Sequence, residues 1–286
     1  MKTILVPLPG LGTDSNALEL ASRMAVPFGS HMAALHVSRN FSEEIVGLTG
    51  GETYVSQELC DDIAADIRTK AATAEQALKS FCERNDIPLL SLHAVQPGTS
   101  ASWQHKTGHA IDEIVTIGRR HDIVVMSRQS DPAAAHAATF GEIIVRCGRP
   151  LLIAPPSLSE HTGRHVAIAW KNTPECAHAL TAAMPIVARA ERITVIAVPE
   201  SEGDGIDEEG ERLAACLEWL PADVDTRLCI RGFERISETI IDEARGARAD
   251  MIVLGGYGHT RARELLLGGV TRDLLKACPV PLLVTH

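Results

Sequence analysis

Short apolar runs alternate along this chain with longer stretches whose apolar residues recur every three or four positions. The runs predict strands at Ile4 to Leu8, Met32 to Val37, Leu89 to Val95, Ile123 to Met126 and Leu151 to Ala154. Five more follow at His165 to Trp170, Ile193 to Val198, Asp225 to Ile230, Met251 to Leu254 and Leu282 to Thr285. The amphipathic stretches predict helices at 15–24, 57–83, 110–120, 137–145, 175–189, 208–219, 236–245 and 270–276. Strands that are apolar throughout belong to sheets covered on both faces, and parallel strands need a crossover helix between them. The right-handed crossover rule then winds each sheet in both directions from its first strand. The expected fold class is therefore α/β: two tandem Rossmann-like domains, each a five-stranded parallel doubly wound sheet flanked by helices.

The second set of elements repeats the first. Asp122-Ile-Val-Val-Met126 through Cys147-Gly-Arg-Pro150-Leu-Leu-Ile-Ala154 parallels Asp250-Met-Ile-Val-Leu254 through Cys278-Pro-Val-Pro281-Leu-Leu-Val-Thr285. Asp122 and Cys147 are 25 positions apart but Asp250 and Cys278 are 28 apart, so the second copy carries three more residues, which fall in a glycine-rich loop. Pro155 to Gly163, with paired prolines and small polar residues, reads as the linker. The expected domains are 1–158 and 159–286. Phe41 to Thr53 reads as a loop over the first domain, and the acidic run Pro199 to Gly210 as a solvated loop without the spacing of a calcium site.

Composition narrows the function. Hydrophobic residues make up 45% of the 286, charged residues 22% and aromatics only 3%, so the core is built from Ala, Val, Ile and Leu, as suits a sheet buried on both faces. A formal net charge of −10 argues against nucleic acid or an anionic membrane as partner, since both demand clustered Lys and Arg. No apolar run reaches 18 residues and the amino terminus leads directly into a strand, so the chain is expected to stay in the cytoplasm. Seven scattered cysteines without a Cys-x-x-Cys pair are expected to be reduced and mostly buried. His105 and His109 stand four apart near an expected helix start, but no third ligand accompanies them, and no metal site is expected. Trp170 is expected to pack in the core or at a domain interface.

One stretch carries chemistry. After the fourth strand of the second half comes Gly255-Gly-Tyr-Gly-His-Thr-Arg-Ala-Arg-Glu-Leu-Leu-Leu-Gly-Gly-Val-Thr271. Glycines let successive backbone N–H groups close on phosphate oxygens, and the second glycine pair opens a helix whose amino end favours an anion. In a doubly wound sheet this loop lies beside the first strand, where strand order reverses and ligands bind. Two readings fit: a phosphate or nucleotide site, and a tight strand-to-helix turn that needs only a flexible backbone. The candidate binding residues are Gly255, Gly256, Gly258, His259, Arg261, Gly268, Gly269, Val270 and Thr271. Arg261 and Arg263 suit phosphate neutralisation and equally suit solvation of an exposed loop.

The spacing Gly255-x-x-Gly258, nine residues, then Gly268 and a small residue resembles the ATP-binding motif of universal stress proteins. The resemblance extends over both halves and is most specific at 250–285. It implies a phosphate loop after strand four, dimer-like pairing of the two domains, and ATP, with or without magnesium, as the cofactor. This chain departs from the pattern at three places. Gly269 stands where ATP-binding members carry Ser or Thr, with Thr271 as a replacement hydroxyl, and Pro9 and Lys171 stand where an acidic residue ends the first strand. In the first half, Ser127 to Pro132 has no phosphate loop at all, and no ATP site is expected there.

Two function classes follow. One is a stress-response regulatory protein whose second domain binds ATP or a related adenine nucleotide as a conformational ligand. The other is a nucleotide-independent interaction module whose strand edges at Leu151 to Ala154 and Leu282 to Thr285 pair domains or subunits, with protein partners and a homodimer as its assemblies. No nucleophile elbow, no Gly-Lys-Ser/Thr phosphate loop and no acid–base pair is present, so catalysis beyond slow ATP hydrolysis is not expected.

Overall fold

A computed structural model describes residues 1–41, 56–91, 94–128, 134–197, 206–228, 235–256 and 269–286. Packing divides the chain into two compact units, Met1–Ser127 and Arg128–His286. No described helix is long and apolar enough to cross a membrane.

In the first unit the Ile-Leu-Val run forms β1 (Thr3–Pro7), followed by α1 (Asp14–Ala25) and β2 (His31–Ser38). A long α2 (Gln57–Arg84) begins at Ser56, whose Oγ accepts the Leu59 N–H at 3.3 Å and satisfies one of the unpaired donors at the helix start. Then come β3 (Leu89–Leu90), β4 (Ser100–Thr107), α3 (Ala110–Gly118) and β5 (Ile123–Ser127). All pairings are parallel and run β3-β4-β2-β1-β5, with Thr3 opposite His31, His31 opposite Ser100 and Ile4 opposite Ile123. Ile4, Leu5, Leu18, Leu20, Met32 and Leu78 form its buried centre.

One expectation is corrected here. The strand foreseen at Leu89 to Val95 stops after two residues, and the main third strand is β4, which the hydrophobic pattern did not reveal. The reason is physical: Ser100, Ser102, Gln104 and Lys106 occupy one face of β4, so the run is not apolar. His105 therefore lies on a strand and His109 precedes α3, so the two do not share a helix face. The described residues contain no cluster of three metal-ligating side chains.

The second unit comprises α4 (Ala134–Cys147), β6 (Leu151–Ala154), β7 (His165–Trp170), α5 (Pro174–Val187), β8 (Arg192–Ala197) and α6 (Ile206–Leu217). It ends with β9 (Asp223–Leu228), α7 (Ile236–Ala247), β10 (Met251–Gly255), α8 (Gly269–Ala277) and β11 (Leu282–Thr285). The order is β9-β8-β7-β10-β11-β6, parallel except for the last pair, where Leu282 opposes Ile153 and Val284 opposes Leu151. The two segments singled out as strand edges, Leu151–Ala154 and Leu282–Thr285, thus lie side by side and antiparallel within this unit. Because β6 is taken up by β11, the division by packing falls after β5, whereas the linker read from sequence lies after β6.

Cys82, Cys147, Cys176 and Cys278 are buried as expected; Cys60 is half-buried and Cys216 exposed. Burial pushes the Cys82 and Cys278 thiols up to about 11, so both stay protonated and unreactive. Cys229, Ser42 to Thr53 of the expected loop and the acidic run from Pro199 to Gly205 lie outside the described residues, while Ile206 to Gly210, read as part of that acidic loop, belong to α6.

Candidate functional site

Strand order reverses in the second unit at β7, which pairs with β8 on one side and β10 on the other. A crevice must open where the chain leaves these strands in opposite directions. Its floor is the carboxyl end of β10. There Gly256 donates its N–H to the Thr285 carbonyl at 2.8 Å, and Thr285 Oγ1 donates to the Glu175 carbonyl at 3.4 Å, tying β10, β11 and the first turn of α5 together. Thr173 caps α5, its Oγ1 accepting the Cys176 N–H at 3.4 Å, with Pro174 at the first helical position where no N–H is missed.

The three glycines described here differ. A Cβ on Gly255 would lie 2.5 Å from Cys176 N and 2.6 Å from Glu175 C, so strand and helix backbones meet there with no room for a side chain. On Gly256 it would lie 3.1 Å from Val284 Cγ1 and 3.2 Å from the Thr285 oxygen. On Gly269 it would meet nothing within 4 Å among the described residues. Packing therefore accounts for Gly255 and Gly256, whereas no described residue packs against Gly269, which is exposed at the amino end of α8. Val270 is half-buried beside it and Thr271 is buried, in the first turn of α8. Gly258, His259, Arg261 and Gly268 lie outside the described residues.

Trp170, read from the sequence as a core or domain-interface residue, ends β7 half-buried, and its Nε1 is buried without a hydrogen-bond partner among the described residues. Glu175, which the sequence reading did not single out, likewise has a buried Oε2 without such a partner. The Glu175 backbone N–H and the Thr173 hydroxyl hold that carboxyl below its usual range, so Glu175 is a carboxylate at neutral pH. Its signal in the sequence was position alone: an acid in the first turn of the helix that follows β7.

The corresponding end of the first unit is built otherwise. Gly10, after β1, has φ +79°, and a Cβ on it would lie 2.2 Å from the Lys70 carbonyl oxygen, so the backbone of α2 rests directly on this turn. Asp14, 1% exposed, accepts the Gly10 N–H at 2.9 Å through Oδ2, while its Oδ1 and Thr13 Oγ1 have no partner among the described residues. Burial pushes the Asp14 carboxyl up to about 6, against the opposing hydrogen bonds from Gly10 and Leu11. Raising the pKa of an acid in the fold means that the folded state binds its proton more tightly than the unfolded chain. Asp14 should thus contribute most stability to the first unit below the ordinary carboxyl value of 3.8, and that contribution is lost as pH rises to about 6. The loss is about 2–3 kcal/mol, and Asp14→Asn should flatten that segment of the pH–stability curve. Urea titrations of both proteins at pH 4 and pH 7 check this; an unchanged slope in the variant would assign the pH dependence to another group.

Residues 163–286 match the family model described as the universal stress protein family. Over its full length the chain is similar to a universal stress protein of Synechocystis, 22% identical across 301 aligned positions that cover 99% of each chain. Its fold is similar to that of a universal stress protein from Archaeoglobus fulgidus, with a TM-score of 0.69 at 15% identity, covering 99% of this chain and 98% of the other. It is also similar to a putative universal stress protein from Pseudomonas aeruginosa, TM-score 0.57 at 14% identity, covering 100% and 93%.

Proposed function

We infer, on the premise that residues 163–286 form a universal stress protein domain, that the second unit binds an adenine nucleotide, ATP or a close relative, in the crevice between β7 and β10. The observation that carries this reading is the amino end of α8 at Gly269, which no described residue covers, following a switch-point floor fixed by Gly255 and Gly256. Partial positive charge at the amino end of the helix and the N–H groups of its first turn suit a phosphate. Gly258, His259, Arg261 and Gly268 would complete the cradle, with Val270 and Thr271 behind it. Where relatives carry an acid after the first strand, this chain offers Lys171, and Glu175 one turn further on supplies a carboxylate for ribose hydroxyls. The nucleotide acts as a regulatory ligand, stabilising the conformation that binds it. In the first unit α2 occupies the place above β1, which supports one site per chain. We place the repeat boundary in the linker, giving domains 1–158 and 159–286.

Calorimetric titration with ATP, with and without magnesium, should give saturable binding near one nucleotide per chain, and bulky replacements of Gly258 and Gly268 should abolish it. No heat at millimolar ATP would overturn the reading in favour of the nucleotide-independent module, which the antiparallel pairing of β6 with β11 through strand edges supports. Gly269→Ser meets no described atom within 4 Å of its Cβ and supplies the missing hydroxyl, so ATP affinity should rise about two- to tenfold, the worth of one net hydrogen bond.

A further inference from the structure

The face of β4 that concealed it from the hydrophobic pattern borders a groove of about 960 Å³ lying wholly within the first unit. The groove lies between α3 and the turn at Ala94–Gly98, on the face of the sheet away from α2, and its volume is at the upper end for a small-molecule site. A strand inside a parallel sheet is ordinarily apolar on both faces. Here Ser100, Ser102, Gln104 and Lys106 face the groove along about 20 Å of β4.

The floor is built rather than merely wet. His31, on β2, places Nδ1 2.9 Å from Ser100 Oγ and Nε2 2.8 Å from Ser102 Oγ, and both serines are buried. Burial, reinforced by His121, keeps the His31 ring neutral. A neutral imidazole has one donor and one acceptor, so one serine gives its proton to His31 and the other receives one. The serine that receives keeps its own O–H for a further acceptor in the groove. At the end near the amino termini of the strands, Lys2 and Arg120 line the same groove, and the Arg120 guanidinium makes no ion pair among the described residues. Glu113 and Lys106 line the opposite end, near the start of α3. Of the side chains that line the groove, three are permanent cations and one is a carboxylate. Asp122, beside Lys2 but not in the lining, has its carboxylate engaged by the Lys2 and Thr3 backbone N–H groups, so the lining itself is cationic on a chain of net charge −10.

We propose that this groove binds a small, elongated, hydroxylated organic anion, its acid group at the Lys2–Arg120 end and its hydroxyls along Ser100, Ser102 and Gln104. This site is separate from the nucleotide crevice and does not depend on it. The acid group is a phosphate or a carboxylate, and glucose 6-phosphate and gluconate serve as probes for the two. Titrated at millimolar concentration into the full-length, isotope-labelled protein, at least one should shift the backbone amide resonances of Ser100 to Lys106, with weaker binding at higher salt. Arg120→Glu should weaken that binding by roughly tenfold or more, as loss of a charge-assisted contact does, and leave ATP binding unchanged. Arg120→Gln, which keeps the stem of the side chain, replaces it where charge reversal disturbs the fold. Absence of shifts with both probes, or shifts of equal size and affinity in the Arg120 variants, would overturn the proposal.

Discussion

Gly10→Ala should destabilise the first unit by about 3–5 kcal/mol, enough to unfold a domain of ordinary stability. Two costs combine at this residue. Its φ of +79° is a conformation that L side chains rarely adopt, worth about 1–2 kcal/mol, and an added methyl would be driven into the Lys70 carbonyl at 2.2 Å. That obstacle is backbone in the middle of α2, so no rotamer change relieves it; α2 must lift from β1 or the turn must open. Either movement also breaks the Gly10–Asp14 hydrogen bond and wets a carboxyl that is now 1% exposed. Fluorescence isolates the effect, because Trp103 lies in the first unit and Trp170 and Trp219 in the second. With the latter two changed to Phe, the Trp103 signal should move to lower urea in the Gly10 variant. An unchanged midpoint would mean that α2 does not press on this turn.

The strands and helices of this chain were legible because most of them bury one kind of surface. Where a segment is apolar and bounded by turns, as at His165 to Trp170 or Leu282 to Thr285, periodicity fixes it to the residue. The pattern failed at β4, whose faces serve different surroundings. Ala101 is buried in the core, whereas Ser100, Ser102, Gln104 and Lys106 line a groove, and alternation with polar groups at a strand near the sheet's edge reads as a loop. Failures of local reading tend to fall where function or strain has displaced packing, and this one leads to the proposed anion site.

The glycine loop was legible as a motif but not in its division of labour. A sequence shows five glycines; it does not show that Gly255 is demanded by a neighbouring backbone while Gly269 is not. The roles of Trp170 and Glu175 were hidden for the same reason, since an orphaned buried donor or acceptor is a property of three-dimensional surroundings. The two units also diverged in a direction that only packing reveals. In the first a long helix closes over the switch-point end and a polar groove lies along the sheet face, whereas no described residue of the second packs against Gly269 at the amino end of α8.

Gly255→Ala tests whether the second unit's fold and its crevice depend on the same contact. The new methyl would lie 2.5 Å from Cys176 N, 2.6 Å from Glu175 C and 2.7 Å from Cys176 Cα, all backbone atoms in the first turn of α5. Separating β10 from α5 would loosen the Thr285–Glu175 hydrogen bond and the Gly256–Thr285 bond behind it. Overpacking against rigid backbone costs about 3 kcal/mol, and the unfolding midpoint reported by Trp170 should fall accordingly while that of Trp103 stays in place. Gly269→Ala is the internal comparison: its methyl meets nothing within 4 Å among the described residues, so stability should change by no more than about 0.5 kcal/mol. If ATP binding is then lost in the Gly255 variant well below its unfolding transition but kept in Gly269→Ala, the contact between β10 and α5 sets the geometry of the site as well as the stability of the fold. Equal stability in the two variants would show that strand and helix can part at Gly255 without cost, and the first glycine of the motif would then have to be explained by the ligand rather than by packing.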